Sequence, residues 1–199
     1  MYNPYDFYFK KAKKEWYKAR SAFKLEELQE KFHLITPQTK TVLDIGCAPW
    51  SWMQYTISQL QKMKVQNYQL IGFDLKQVEI NLPGMFAYQQ DITEKEKVDE
   101  ILASHHIEQV DFIQSDMAPN TIGHKDTDAI RSIALLEETL WIYEKYLKPE
   151  GKFCTKIFMG PGFDEYVAEM KRRYGGKNIK VFKPKSCRKE SKETYVIRV

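Results

Sequence analysis

Several acidic residues stand at the ends of short apolar runs in this sequence. Asp74 ends one run, Asp116 ends another, and Asp91 follows a third. A further run ends in Asp44-Ile45-Gly46, an acid and a glycine. A carboxylate can accept hydrogen bonds from a ribose diol or an amino group, and a glycine lets a turning backbone approach a ligand closely. These residue types indicate a site for a cofactor that carries a nucleoside.

The residues after Gly46 favour one of two cofactor classes. A loop that binds the pyrophosphate of NAD needs the pattern G-x-G-x-x-G, but here Ala48 and Ser51 stand where the second and third glycines belong. S-adenosylmethionine carries no phosphate and does not need that cradle. The pattern therefore favours S-adenosylmethionine, and a nicotinamide-dependent oxidoreductase is the alternative. Asp91 could meet the amino group of adenine, or it could be a turn or capping residue before Thr93.

Alternating apolar patterns place these residues on predicted strands and helices. Strands are expected at 41–46, 69–74, 85–89, 110–116, 151–158, 179–182 and 194–199. Helices are expected at 19–32, 51–63, 95–105, 126–147 and 163–174.

Strands that alternate with helices predict an α/β fold of the Rossmann-like type, with a mostly parallel seven-stranded sheet and helices on both faces. Such sheets bind ligands beyond the carboxyl ends of their strands, where Gly46, Asp74, Asp116 and Lys156 would converge. We expect one domain, residues 1–199, with a basic arm or helix at 1–24 and the core at 25–199.

Positive charge is concentrated at the two ends of the chain. The net charge is only +4, yet residues 1–24 carry seven Lys or Arg and two acids, and residues 171–199 carry eleven and two. Aromatic residues, among them Phe9, Trp16 and Tyr17, are interleaved with the first group. Basic side chains release counterions from phosphates, and rings stack on unpaired bases. We interpret the ends as an RNA-binding surface, with solvated helix faces as the alternative.

The rest of the composition fits an ordinary globular protein. No apolar run reaches the roughly 20 residues of a membrane helix, and the first residues do not resemble a signal peptide. The three cysteines, Cys47, Cys154 and Cys187, are widely spaced and suggest neither disulfides nor a metal site. His105-His106 has no accompanying ligand cluster, so no metal is expected. We predict a cytoplasmic monomer without a membrane partner, or an organellar one in a eukaryote.

Five segments in order resemble the FtsJ/RrmJ family of RNA ribose 2′-O-methyltransferases. They cover nearly the whole chain, from about residue 19 to residue 199. The segments are Arg20-Ser21-Ala22-Phe23-Lys24-Leu25, Asp116-Met117-Ala118-Pro119-Asn120, Lys156-Ile157-Phe158, Gly162-Phe163-Asp164-Glu165-Tyr166 and the stretch from Ser186 to Tyr195. The resemblance implies a methyltransferase that uses S-adenosylmethionine and modifies RNA.

The family has a catalytic Lys-Asp-Lys-Glu tetrad. The resemblance places it at Lys24, Asp116, Lys156 and Glu193. A ribose hydroxyl is a poor nucleophile, so the enzyme must align it with the methyl group and remove its proton. Lys156 would be the base, with Asp116 orienting it; the alternative is an ordinary ion pair between Lys156 and Asp116. Glu190 competes weakly with Glu193, but the Ser-x-Glu-x-Tyr frame selects Glu193.

The resemblance also implies the cofactor residues, which lie in the loop after the first strand and after strands two to four. They are Gly46, Ala48, Pro49, Trp50, Trp52, Asp74, Asp91 and Asp116. One departure stands out, because the family loop usually reads Ala-Pro-Gly-Gly-Trp and this chain has Trp50 and Ser51 in place of the two glycines. Trp50 does not readily adopt the backbone angles of glycine, so an altered contact to the methionine end of the cofactor is expected.

By family analogy the target is a uridine ribose in large-subunit ribosomal RNA. Methylation of transfer RNA or of an mRNA cap is the alternative within the class. A non-catalytic RNA-binding protein that retains the fold is the alternative outside it.

Overall fold

A computed structural model describes residues 7–80 and 82–199 of the chain. Strands in the middle of its sheet are mostly buried, as expected for a sheet covered on both faces, whereas the two edge strands at 85–89 and 179–182 are more exposed. The strands are β1 (Thr41–Ile45), β2 (Gln69–Asp74), β3 (Met85–Gln89), β4 (Val110–Ser115), β5 (Leu147–Phe158), β6 (Ile179–Phe182) and β7 (Glu193–Arg198). All seven predicted strands are present, and β5 begins four residues before its predicted start.

Helices precede β1 and connect most of the parallel strands, although residues 75–80 and 82–84, which lie between β2 and β3, contain none. The helices are α1 (Phe7–Lys14), α2 (Ala22–Phe32), α3 (Ser51–Lys62), α4 (Lys95–Ser104), α5 (Lys125–Tyr146) and α6 (Phe163–Tyr174). The buried residues of α2 include Ala22, Leu25 and Leu28, which recur at helical spacing. None of the helices in these ranges is long and apolar enough to cross a bilayer.

The strands form one sheet in the order β3-β2-β1-β4-β5-β7-β6. β1 to β5 run parallel, and β7 is antiparallel to both β5 and β6. The predicted α/β class and mostly parallel sheet are confirmed, with an antiparallel pairing at one edge. The order reverses between β1 and β4, so the loops after these strands diverge and leave a crevice at the carboxyl edge.

Alternation along β1 assigns its side chains to two cores. Leu43 and Ile45 belong to the core that contacts α4, α5 and α6, whereas Val42 belongs to the core under α2 and α3. Asp44 follows the same alternation toward the second core and is 1% exposed.

The two basic ends of the chain meet beside α2. The Arg20 guanidinium donates a hydrogen bond to the carbonyl of Ser186 at 2.5 Å. The Glu27 carboxylate accepts the backbone N–H groups of Lys185 and Ser186 at 2.6 and 2.8 Å. α1 packs against α2 through Tyr8, whose ring centroid lies 5.7 Å from that of Phe23. The division expected after residue 24 falls inside α2, and residues 1–6 lie outside the described part of the chain.

Candidate active site

A cleft of about 470 Å³ opens at the carboxyl edge of the parallel strands. It lies between the loops that follow β1, β2, β3 and β4. Gly46, Ala48, Asp74, Asp91 and Asp116, all of which were predicted to contact the cofactor, line it.

Gly46 permits the tight turn that begins at the end of β1. Its φ is +79°, and a Cβ added there would lie 2.9 Å from the Cα of Met117. Any larger residue would collide with the backbone after β4 and would also be strained at this φ. The glycine therefore allows the loops after β1 and β4 to approach each other at the floor of the cleft.

Asp74 and Asp91 are both anchored by local hydrogen bonds. Asp74 Oδ2 accepts the N–H of Ala48 at 3.0 Å, and its Oδ1 accepts the N–H of Lys76 at 2.8 Å. Asp91 Oδ1 accepts the N–H and the hydroxyl of Thr93 at 2.9 and 2.8 Å. Asp91 therefore makes the local hydrogen bonds of a turn residue, which was one of the two roles expected for it. Each carboxylate oxygen has two lone pairs, so both residues keep acceptor capacity toward the cleft they line.

Trp50 occupies a left-handed backbone position where the family loop has a glycine. Its φ is +67° and its ψ is +20°, immediately before α3. A non-glycine residue held in this region costs of order 1–3 kcal/mol. Its ring is half-buried, and Lys18 Nζ lies 5.4 Å from the ring centroid. Trp50 and Pro49 are absent from the residues that line the described cleft, so their contact with a cofactor stays a prediction.

Trp52 lies beneath the site rather than along the cleft. It is 3% exposed, and its ring centroid is 5.8 Å from that of Tyr195. Its indole N–H donates a hydrogen bond to the carbonyl of Ser21 at 2.8 Å, which ties α3 to the start of α2. This arrangement supports the position of Lys24 and Tyr195; a direct role in cofactor binding stays a prediction.

The four residues of the predicted tetrad come together around Asp116. Lys156 Nζ lies 3.1 Å from Asp116 Oδ1 and also donates to the backbone carbonyl of Asp116. Lys24 Nζ lies 3.6 Å from Asp116 Oδ1 and 2.5 Å from Glu193 Oε1. Two lysines thus share one carboxylate, and Lys24 bridges to the second. The contacts join α2, the end of β4, β5 and β7.

Tyr195 is a member of this cluster that the analysis of the sequence did not include. Its hydroxyl donates to Asp116 Oδ1 at 2.7 Å and lies 2.8 Å from Glu193 Oε1. A phenol has one proton, so it can fully serve only one of these two acceptors at a time. The sequence could have indicated Tyr195, because Glu193 and Tyr195 are two residues apart on β7 and therefore share a face.

The charges in the cluster stabilise one another. Burial disfavours the ammonium of Lys24, but the carboxylates of Asp116 and Glu193 outweigh burial and raise the pKa of Lys24 above its ordinary value. Burial also disfavours the carboxylate of Asp116, but Lys156 and Lys24 outweigh it and lower the pKa of Asp116. Lys24 and Asp116 are therefore ionised at neutral pH.

Glu193 and Glu190 have different surroundings. Glu193 Oε1 also accepts a hydrogen bond from the Cys187 thiol, with a sulfur-to-oxygen distance of 3.4 Å. Glu190 is exposed and lines a separate cavity. The geometry agrees with the motif alignment that selected Glu193.

A second buried acid lies below the cleft on β1. Asp44 Oδ2 accepts a hydrogen bond from the side-chain amide of Gln114 at 2.9 Å, and the carbonyl of that amide accepts one from Thr56 at 2.7 Å. Asp44 Oδ1 is buried and has no hydrogen-bond partner among residues 7–80 and 82–199. Burial raises the pKa of Asp44 from 3.8 to about 7.

This pKa makes stability depend on pH. Because the folded state favours protonated Asp44, its contribution is fully present below about pH 4 and is lost as the pH rises through about 7. The asparagine in Asp44→Asn cannot titrate. The free energy of unfolding of this variant should therefore increase relative to that of the wild type as the pH rises from about 4 to about 7. The difference between the ordinary pKa of 3.8 and the folded-state pKa of about 7 limits this relative increase to about 4 kcal/mol. Chemical denaturation of both proteins at several pH values would measure the difference in unfolding free energy. A difference that does not change with pH would contradict the prediction.

Comparison with known sequences finds relatives along almost the whole chain. A model of the FtsJ-like methyltransferase family matches residues 17–199. Two proteins named Ribosomal RNA large subunit methyltransferase E, from Desulfosudis oleivorans and Bdellovibrio bacteriovorus, are 40% and 38% identical to this chain over 193 and 197 residues. The alignments cover 96% and 98% of this chain and 88% and 96% of the relatives.

Solved structures share the fold. A Plasmodium falciparum protein assigned as a ribosomal RNA methyltransferase superposes with a TM-score of 0.77 at 28% identity, over 92% of this chain and 97% of that one. Human methyltransferase-like protein 13, solved in complex with SAH, superposes with a TM-score of 0.58 at 11% identity, over 83% of this chain and 74% of that one. The sequence matches confirm the predicted family: the chain belongs to the FtsJ-like methyltransferase family.

Proposed function

We propose that this methyltransferase transfers a methyl group from S-adenosylmethionine to a ribose 2′-hydroxyl of RNA. The observation that carries the proposal is the cluster in which Lys24, Lys156 and Tyr195 contact Asp116, which also lines the cleft. Glu193 joins the cluster through Lys24 and Tyr195. One carboxylate thus belongs both to the cofactor cleft and to the group of side chains that can move a proton.

The cleft fits S-adenosylmethionine better than a dinucleotide. Asp74, Asp91 and Asp116 line it. This acidic lining suits a cofactor whose sulfonium and amine are positive, and it opposes a pyrophosphate. Asp74 would hold the ribose diol and Asp91 the adenine amino group. When bound, the cofactor supplies an electrophilic methyl group.

The chain's own residues would activate the hydroxyl. Lys24 is held between two carboxylates, whereas Lys156 contacts one, so Lys156 is the lysine that is freer to contact the substrate. A neutral Lys156 can accept the proton of the ribose hydroxyl, while the Asp116 carboxylate holds the amine in place. Lys24 and Glu193 would fix the ribose through hydrogen bonds. The ion-pair alternative predicts that Lys156 only stabilises the fold.

A uridine ribose of large-subunit ribosomal RNA is the proposed target. Two of the relatives are named for large-subunit ribosomal RNA, and the alignments cover most of their length. A monomer in the cytoplasm is part of the same proposal. Mapping 2′-O-methyl groups in ribosomal and transfer RNA, with and without the gene, tests the target. A methyl lost only from transfer RNA or from a cap would redirect the proposal.

Cofactor selectivity is a direct consequence of the acidic cleft. Calorimetric titration should show binding of S-adenosylhomocysteine and none of NAD. Asp74→Ala should weaken S-adenosylhomocysteine by about 10- to 100-fold, since hydrogen bonds to a charged group contribute roughly 1.5–3 kcal/mol. Tight binding of NAD with no response to S-adenosylhomocysteine would sink the assignment.

The exposed lysines of α1 are proposed to bind phosphates. Lys10, Lys13 and Lys14 are exposed, whereas Lys11 lies 3.1 Å from the Glu26 carboxylate and belongs to the packing. Lys10, Lys13 and Lys14 changed together to Glu should weaken RNA binding. The slope of log K against log salt should fall by about 0.7–0.9 for each lost contact.

Three exposed lysines outside α1 provide a control for this variant. Lys40, Lys62 and Lys64 are exposed before β1 and at the end of α3. Their reversal changes the net charge equally and should leave the salt slope near that of the wild type. Equal effects of the two variants would mean that only net charge matters and that α1 is a solvated face.

A further inference from the structure

A second, smaller cavity of about 230 Å³ lies on the far side of the loop after β4. Its lining includes one aromatic residue and two hydroxyl residues, together with two lysines and two acids: Phe158, Thr121, Ser191, Lys125, Lys192, Asp128 and Glu190. None of these residues belongs to the tetrad or to the cofactor cleft.

The cavity adjoins the tetrad through the backbone. Phe158 pairs with Glu193 across β5 and β7. The N–H of Glu193 donates a hydrogen bond to Ser191 Oγ at 3.1 Å. Asn120 lines the cofactor cleft and its neighbour Thr121 lines the second cavity. A substrate atom held at the tetrad would therefore lie between the two cavities.

Contacts within the protein fix two segments of the cavity wall. Asp128 on α5 is 7% exposed, and its two oxygens accept the N–H groups of Ile122 and Gly123 at 2.9 and 3.1 Å. Lys192 lies 3.1 Å from Asp126 Oδ1, so the loop before β7 is fastened to the start of α5. Preorganisation of this kind lowers the entropy cost of binding.

The lining has the chemistry that recognises one nucleotide. An aromatic side chain gives a base a stacking surface, hydroxyls can bond its polar edge, and lysines attract the flanking phosphates. Sites for drug-sized ligands occupy roughly 300–1,000 Å³, so this smaller cavity suits a single base better than a base pair.

We propose that this cavity receives the base of the acceptor nucleotide, which is unpaired or flipped out of its helix when the ribose reaches the tetrad. The proposal rests on the proposed function. It assigns the side of the tetrad from which RNA enters, with the cofactor on the other side, and it identifies Phe158 and Thr121 as substrate-binding residues.

Filling the cavity tests this assignment. Thr121 is exposed, so Thr121→Trp should place a ring in the cavity without disturbing the core. It should lower kcat/KM for RNA by about 5- to 150-fold, the range expected from roughly 1–3 kcal/mol per stacked base. The affinity for S-adenosylhomocysteine should stay unchanged. Gln38 is exposed and lies before the first residue of β1, outside this cavity. Gln38→Trp is therefore the matched control and should behave as the wild type.

An RNA with an abasic acceptor nucleotide separates base recognition from general RNA binding. It keeps the ribose hydroxyl, so the wild type should lose about as much kcat/KM on this RNA as Thr121→Trp loses on the intact one. The variant should lose little more on the abasic RNA, since both changes remove the same contact. Phe158→Leu should repeat this pattern, and thermal melting checks that both variants are folded.

The outcomes distinguish the two proposals. No methyl transfer by the wild type to any ribose hydroxyl would overturn the proposed function and this inference with it. Normal transfer by the wild type combined with additive losses from Thr121→Trp and the abasic RNA, or with no loss in Thr121→Trp, would overturn only the inference.

Discussion

Lys156→Ala is expected to lower single-turnover methyl transfer to RNA about 10²–10⁴-fold, the usual contribution of a positioned general base. Lys156 is 8% exposed and lies 3.1 Å from the shared Asp116 oxygen, so no water-exposed lysine can readily replace it. Cofactor titration of the variant should stay close to normal.

Two further variants isolate the role of the amine. Lys156→Met keeps most of the apolar side chain without the charge and should lose as much activity as Lys156→Ala. Lys152 stands four residues earlier on β5, and its ammonium donates to the carbonyl of His33 at 2.8 Å, away from the tetrad. Lys152→Ala should therefore remain active. Near-normal rates for Lys156→Ala, together with a lower melting temperature, would establish the ion-pair alternative.

Asp116→Asn should reduce turnover at least as severely and should also destabilise the fold. The change keeps the shape of the side chain but leaves Lys24 and Lys156 without their shared negative charge. Breaking a buried ion pair on one side costs about 3–5 kcal/mol. Because Asp116 also lines the cofactor cleft, S-adenosylhomocysteine should bind more weakly.

The pH dependence of stability gives a second readout for Asp116. Its pKa is lowered in the folded state, so its stabilising effect is present above the ordinary pKa of 3.8 and is lost as the pH falls further. The difference in unfolding free energy between wild type and Asp116→Asn should therefore be full at pH 7 and shrink at low pH. A constant difference would show that the charge of Asp116 does not stabilise the cluster.

Glu193→Gln and Glu190→Gln complete the comparison. The first removes a carboxylate 2.5 Å from Lys24 and should reduce turnover while S-adenosylhomocysteine still binds. The second changes an exposed residue outside the tetrad and should have a mild effect. The reverse order of effects would mean that the Ser-x-Glu-x-Tyr frame was misread.

Local patterns in the sequence were enough to predict the seven strands, five of the six helices within residues 7–80 and 82–199, and the end of the sheet at which the proposed site lies. The strand that ends in Asp44-Ile45-Gly46 and the strands that end at Asp74 and Asp116 are short apolar runs, and such runs report strand positions directly. Alternation with helices then required parallel strands, so these residues had to meet at one edge. The tetrad followed from ordered motifs rather than from periodicity.

The side-chain partners of the site depended on the tertiary structure. Asp116 and Tyr195 are 79 residues apart, and the pairings of β4 with β5 and of β5 with β7 bring their oxygens to 2.7 Å. The turn at Trp50 leaves its ring against Lys18, and the buried position of Asp44 raises its pKa to about 7. Sequence by itself determined which residue types stand at the strand ends, because periodicity is local. Which charged groups pair with one another, and which become buried, was decided by contacts between distant segments. No local pattern encodes such contacts.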